Sequence, residues 1–238
     1  MKAAELRSEL DSKGNPEKAS HQMRFFKCGP GGYAEGDIFI GVSVPLQRKL
    51  AKKYRDLPLP EVEVLLSSDI HEHRQYALFI LVASLRSARC PSDRKQDIVE
   101  LYLRNTRRVN NWDLVDSSAH HILGPWMLEN PEKREILYCL AQSDNLWEQR
   151  IAILTTFAFL RAGQFDDTFA IADLLFHHPH DLIHKAVGWM LREVGNRDRS
   201  AEEGFLRSRY KSMPRTMLRY AIEKFPEELR QMYLKGRV

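Results

Sequence analysis

The sequence has no apolar run that approaches the roughly 18 consecutive residues needed to cross a membrane. Even the apolar stretch Ala77–Ser84 has charged residues within a few positions on either side. The first ten residues carry acids and lack the apolar core of a signal peptide. Cysteine is scarce, and Cys28, Cys90 and Cys139 form an odd set without metal-ligand or redox-motif spacing. We therefore expect a cytoplasmic, soluble protein with reduced thiols.

Neither sign of charge dominates the chain, because 36 basic and 32 acidic residues leave a net charge of +4. The basic residues are unevenly spread, however. From Lys185 to the C-terminus there are 13 basic and 7 acidic residues, so the remainder of the chain carries a net charge of −2. A basic segment on a nearly neutral body predicts binding to a polyanion, and the alternative interpretation is a solvated charged surface. With 43% apolar and 29% charged residues, the composition excludes a disordered chain and fits one folded domain over residues 1–238.

Helical signals predominate along the sequence. Asn15 and Pro16 place a capping residue and a first-turn proline before a helix, and Pro91 precedes another helix with apolar residues at three-to-four spacing. Strand-like alternation is brief, as in Asp37–Val42. Glycines mark one long loop from Gly29 to about Gly41, and we interpret its opening Gly29-Pro-Gly-Gly as a turn. The loop as a whole either lengthens the rim of a binding cleft or is a tolerated insertion.

A repeat underlies these helices. A four-residue motif, a basic residue followed by any residue and then Ala-Ile, occurs as Arg150-Ile-Ala-Ile and as Arg219-Tyr-Ala-Ile. Related motifs begin at Arg74 and Lys185. These starting points lie 76, 35 and 34 residues apart, and the midpoint of the longest interval is Trp112. A period of 34 to 38 residues is typical of HEAT-like helical hairpins, which bury their apolar faces only by stacking. The sequence therefore predicts an all-α, curved α-solenoid with one concave face.

If this register holds, one face of the inner helices carries two tryptophans, a carboxylate and several cations. Asp116 follows Trp112 by one turn, and Trp189 follows Lys185 by one turn. Each residue also has an ordinary structural explanation: a tryptophan is most often a core residue, and Asp116 could simply pair with Arg150. The convergence of these side chains across three repeats favours a functional groove.

These segments resemble the AlkD-type DNA alkylation repair glycosylases. The resemblance extends over most of the chain and rests on three inner motifs and on the opening helix: Asn111-Trp-Asp-Leu-Val-Asp116, Ser143-Asp-Asn-Leu-Trp-Glu-Gln-Arg150, Lys185-Ala-Val-Gly-Trp-Met-Leu-Arg-Glu193, and Asn15-Pro-Glu-Lys-Ala19 followed by Met23-Arg-Phe-Phe-Lys27.

The resemblance implies an enzyme that removes N3- and N7-alkylated purines from duplex DNA, without a deep base-flipping pocket. It implies that Asp116 is the catalytic carboxylate, that Trp112 and Trp189 are aromatic walls, and that Arg150 contacts the backbone beside the lesion. The family commonly has a tyrosine where this chain has Phe25 or Phe26. The further residues expected to contact DNA are Lys185, Arg192, Arg219, Phe25 and Phe26.

We expect no cofactor and no metal, since the histidines around Pro179 and the pairs His71/His73 and His120/His121 lack a ligand framework. The expected partner is double-stranded DNA that contains alkylated purines, bound by a monomer that is cytoplasmic and associated with the nucleoid during repair. The alternative hypothesis is a non-catalytic HEAT-like module that binds DNA or protein through the same concave surface.

Overall fold

The computed structural model describes residues 2–238, which form two compact units, the first ending at Ser118 and the second spanning Ala119–Val238. Within these residues the secondary structure is helical, apart from one isolated bridge between Ile38 and Ile70. The sequence predicts a single domain, and its composition does not change at residue 118.

The first unit contains seven α-helices within the described residues, and a 3₁₀ turn at Thr106–Arg108 precedes the last of them. These helices are α1 (Ala3–Asp11), α2 (Pro16–Phe25), α3 (Val44–Lys53), α4 (Leu59–Leu66), α5 (His71–Leu85), α6 (Ser92–Arg104) and α7 (Trp112–Asp116).

The second unit contains nine α-helices, together with 3₁₀ turns at Pro131–Arg134 and Ile222–Lys224. They are α8 (Ala119–Glu129), α9 (Glu135–Ala141), α10 (Leu146–Thr155), α11 (Phe157–Arg161), α12 (Asp166–Leu174), α13 (Asp181–Gly195), α14 (Arg199–Arg207), α15 (Arg215–Ala221) and α16 (Glu227–Leu234).

Side-chain caps explain where several of these helices begin. Asn15 accepts a hydrogen bond from the Lys18 amide, and Pro16 then occupies the first helical position of α2. Asn145 caps α10 by accepting from the amides of Trp147 and Glu148. The Asn15 cap confirms the helix start that the sequence predicts there.

Within each unit, helices that are close in the chain pack on one another in successive layers. In the first unit α4 contacts α1, α5 and α6, and α5 also packs on α3 and α7. In the second unit α10 contacts α8, α9 and α13, while α13 also packs on α14 and α15. The layering confirms the predicted all-α fold of the α-solenoid class. Across residues 2–238, no helix combines the length and apolar character required to span a lipid bilayer.

The long glycine-containing segment from Gly29 to Gly41 folds tightly against the helices of the first unit. Ala34 and Phe39 are buried with Ala19 of α2 and with Phe26. Gly41 has a φ of +81°, and a Cβ atom there would lie 2.1 Å from the Asn15 carbonyl oxygen. Only glycine fits this position, so the segment is an integral part of the core of this unit.

Candidate functional site

Trp112 and Asp116 line one pocket of the first unit. They stand one turn apart on α7, so both side chains project from the same face of that short helix. The pocket has a volume of about 320 Å³ and Asp116 is half-buried at its wall. The residues that line it are Phe26, Val44, Arg48, Gln75, Phe79, Trp112, Asp113, Asp116 and Ser117. This arrangement combines aromatic faces and carboxylates, which suit a cationic group, with one arginine, which suits a phosphate.

The indole of Trp112 is held by aromatic neighbours and by one hydrogen bond. Phe26 stacks on it at a centroid distance of 5.2 Å, and Phe25 meets it edge-on at 6.1 Å. The indole N–H donates to the Tyr33 hydroxyl at 3.1 Å. Phe26 is buried, whereas Phe25 is 58% exposed and therefore open to a partner. Tyr33 comes from the glycine-containing segment, which thus supplies a direct contact to the site.

The start of α7 is fixed by two polar residues. Asn111 is fully buried, caps the helix by accepting from the Trp112 amide at 2.8 Å, and donates its side-chain N–H to Asp37 Oδ2 at 3.2 Å. Asp113 accepts from the side-chain Nε2 of Gln75 at 2.7 Å and contacts His71 Nε2 at 2.9 Å. Since Asn111 and Asp113 flank Trp112, these bonds set the orientation of the indole and of Asp116.

His71 lies between two carboxylates. Its Nδ1 faces Asp37 Oδ2 at 3.2 Å and its Nε2 faces Asp113 Oδ2 at 2.9 Å, while Phe39 stacks on the ring at 4.3 Å. Burial by itself would lower the pKa of His71, but the charges and hydrogen bonds of Asp113 and Asp37 outweigh it and raise the pKa to about 9. The imidazolium therefore stabilises the fold fully below pH 6.5, and this contribution is lost as pH rises through about 9.

Asp37 is the second centre of this buried network. Arg74, which is 1% exposed, donates to Asp37 Oδ1 at 2.5 Å. Although burial would raise the pKa of Asp37, the hydrogen bond from His71 and the charge of Arg74 hold it below the usual range. Glu72 anchors the same segment from α5, because its carboxylate accepts hydrogen bonds from the amides of Ile40, Gly41 and Val42. The N-terminal turn of α5 thus holds Asp37 and the backbone of residues 40–42 in place.

Sequence reasoning missed most of these supporting residues, namely Tyr33, Asp37, His71, Gln75, Arg48 and Phe79. One signal was present: the helix opens with five polar residues, His71 to Gln75, and its remainder is apolar except for Ser84. All five are buried. Buried polar residues at a helix start indicate a hydrogen-bonded network. Arg74 belongs to this network, although the repeat register placed it on the groove face.

The second unit holds Trp189 at a separate aromatic cluster. The half-buried indole donates to Glu193 Oε1 at 3.3 Å and lies 6.1 Å from the Phe157 ring. Glu193 also accepts from Arg197 at 2.9 Å, and the Arg161 guanidinium lies 4.4 Å from the Phe157 centroid. Burial would raise the pKa of Glu193, but hydrogen bonds from Arg197, Asn196 and Trp189 lower it. A charged carboxylate therefore fixes the indole of Trp189.

The predicted DNA-contacting cations of the second unit differ in exposure. Arg150 is only 4% exposed, and its guanidinium donates to the Leu182 carbonyl at 2.5 Å. Lys185 pairs with Asp181 at 2.8 Å, one turn earlier on α13, and Arg192 pairs with Glu223. Arg219 is exposed on α15 and makes no ion pair within the part of the chain that the structure describes. The Arg150 side chain is thus buried and oriented by its bond to the Leu182 carbonyl, whereas the Arg219 side chain faces solvent.

The histidine clusters do not assemble with other ligands. Across residues 2–238, no three histidine, cysteine, aspartate or glutamate side chains come together in a way that could hold a metal ion. His184 instead bonds the His178 carbonyl, and His180 caps α13 by accepting from the Leu182 amide at 3.1 Å. His180 and His184 thus form hydrogen bonds with nearby backbone groups.

Comparison with known proteins supplies the family. Residues 6–225 match the sequence model described as DNA alkylation repair enzyme. A solved structure described as a predicted DNA alkylation repair enzyme from Enterococcus faecalis has the same fold, with a TM-score of 0.71 and 16% identity over 90% of this chain and 98% of that one. No protein with a curated description matches the chain at a significant level. Because the family match covers most of its length, the chain belongs to the DNA alkylation repair enzyme family.

Proposed function

We propose that the protein is a DNA glycosylase that hydrolyses the N-glycosidic bond of positively charged N3- or N7-alkylated purines in duplex DNA. The observation that carries this proposal is the shared pocket of Trp112 and Asp116, in which an aromatic face and a half-buried carboxylate adjoin. Membership of the repair family and the resemblance to the AlkD-type enzymes support the same conclusion.

The proposed chemistry needs few protein groups. In an alkylated, cationic purine the base is already activated as a leaving group, so the bond to C1′ breaks and its electron pair neutralises the departing base. Positive charge then grows on the deoxyribose. The Asp116 carboxylate stabilises that sugar and orients a water molecule, whose oxygen adds to C1′ and whose proton passes to solvent. The products are the free neutral base and an abasic site.

The aromatic residues complete the proposed recognition. The face of Trp112 attracts a cationic nucleotide through its quadrupole, an interaction worth roughly 0.5–2 kcal/mol, and Trp189 contributes a second face of the same kind. Arg150 holds the phosphate beside the lesion, with its guanidinium already oriented by the Leu182 carbonyl. Arg219, Lys185 and Arg192 add backbone contacts, and the exposed ring of Phe25 packs on the DNA.

In this proposal the protein works as a monomer on double-stranded DNA in the cytoplasm, at the nucleoid. Phosphate contacts dominate its affinity, and sequence has little influence on where it binds. No metal or cofactor takes part in the reaction, because the cationic base supplies the activation itself.

The direct test is base release from a duplex oligonucleotide that carries one 7-methylguanine. We expect free 7-methylguanine and an alkali-sensitive strand break at that position, with an unmodified guanine duplex as the control. A protein that binds both duplexes but releases no base would support the alternative, a non-catalytic DNA-binding module.

A further inference from the structure

Helix α3 presents a one-sided basic surface beside the pocket. Among its ten residues are four cations and no acid, and all four cations are exposed. They are Arg48, Lys49, Lys52 and Lys53. At 3.6 residues per turn these side chains span about 140° of the helix circumference, and the buried residues of α3 lie on the other side.

These four cations have no acidic partner in the part of the chain that the structure describes. Within residues 2–238 none of them forms an ion pair or a side-chain hydrogen bond, in contrast to Arg74 and Arg104, which pair with Asp37 and Glu63. Arg48 does contact the Phe79 ring, whose centroid lies 4.9 Å from the guanidinium carbon. Arg48 therefore lies at the pocket wall, where the N–H groups of its guanidinium can bind an anion.

The arrangement disfavours a purely structural role. Lys52 and Lys53 gain from the dipole at the C-terminal turn, but Arg48 and Lys49 lie a turn earlier. Moreover, Arg48 with Lys52 and Lys49 with Lys53 are like-charged pairs at i,i+4 spacing, which destabilise a helix. A surface that costs stability and lacks acids is matched best by an external polyanion.

We propose that α3 is a DNA-backbone binding surface, in which Lys49, Lys52 and Lys53 follow the phosphates and Arg48 holds a phosphate at the mouth of the Trp112–Asp116 pocket. This inference rests on the proposed function, since it takes the polyanion to be the repaired duplex. It adds a basic surface in the first unit, whereas the sequence alone directed attention to the basic C-terminal segment. The contacts are to phosphate and so carry no base preference.

The test uses undamaged duplex DNA and the full chain. In a triple variant with Lys49→Gln, Lys52→Gln and Lys53→Gln, we expect at least a tenfold loss of affinity at low salt. The plot of log association constant against log salt concentration has a negative slope, and its magnitude should decrease by about 2 to 3, because each lost phosphate contact removes about 0.9. Arg48→Gln alone should lower this magnitude by about 1. The matched control neutralises three exposed cations on other segments, Lys13→Gln, Arg89→Gln and Lys133→Gln, and should leave the slope unchanged.

An unchanged affinity and slope in the α3 variants would overturn this inference and would leave an acidic protein as the partner of α3. An equal loss of affinity in the control variant would also overturn it, because the loss would then follow from the lower net charge of the protein and not from the position of the cations on α3. Since the assay requires no base release, a protein that fails to excise 7-methylguanine but shows the α3-specific loss supports the surface while contradicting the glycosylase. Circular dichroism checks that each variant is folded, which we expect because the substitutions relieve like-charge repulsion.

Discussion

Replacing Asp116 by asparagine is expected to slow the release of 7-methylguanine by about 100- to 1000-fold. Asparagine has nearly the same shape as aspartate but carries no charge, so it cannot stabilise the positive charge that develops on the sugar. Loss of one preorganised electrostatic contact in other active sites has a cost of this size. Single-turnover rates at saturating protein measure the chemical step, and binding to the same duplex should change less than about threefold.

The matched control for this substitution is Asp56→Asn. Asp56 also belongs to the first unit, but its side chain is 85% exposed and pairs with the neighbouring Arg55 at 3.6 Å. It should release base at the wild-type rate. If the two asparagine variants behave alike, Asp116 is not the catalytic carboxylate, whatever activity the protein has.

The second large effect is expected on stability, from Asp37→Ala. This change leaves two buried cations, Arg74 and the His71 imidazolium, without their shared carboxylate. Breaking a buried ion pair by removal of one partner typically costs about 3–5 kcal/mol, because the remaining charge is still desolvated. We expect a loss of that order in the free energy of unfolding at pH 7, measured by urea denaturation of the full chain. The loss should be smaller at pH 10, where His71 is neutral.

Asp69→Ala is the control for the buried network. Asp69 also pairs with an arginine, Arg108, but at 3.5 Å and with 85% of its side chain exposed. Exposed pairs of this kind contribute little, so its removal should change the unfolding free energy by less than about 1 kcal/mol. Similar losses in the two variants would contradict the view that the Asp37 network holds α7 in place.

Much of the fold could be predicted from local sequence signals. Asn15 and Asn145 cap helices by bonds to nearby amides, and Pro16 favours a helix start through its fixed φ. Such short-range effects can be recognised in a single sequence. The one-turn spacing of Trp112 and Asp116 likewise places both on one face without further information. Local rules therefore predicted the all-α class and the core pair of the candidate site.

The supporting network could not be predicted in the same way, since its bonds join residues far apart in the chain. Asp37 and Asn111 are separated by 74 positions, and His71 and Asp113 by 42. For the segment from Gly29 to Gly41 the sequence left open an extension of the cleft rim and a tolerated insertion, because glycine content reports local flexibility and not what a loop packs against. In the structure this segment contributes Tyr33, which bonds Trp112, and Asp37, which bonds Asn111. The burial of Arg150 could not be predicted from residue spacing either.

The central claim is that the Trp112–Asp116 pocket recognises a cationic sugar as the base departs. The most direct measurement compares the affinity for two duplexes, one with a cationic pyrrolidine abasic analogue and one with the neutral tetrahydrofuran analogue. We predict that the wild-type protein binds the cationic analogue at least tenfold more tightly, and that Asp116→Asn abolishes this preference while its affinity for the neutral duplex is retained. Equal affinity of the wild-type protein for the two duplexes would contradict the account.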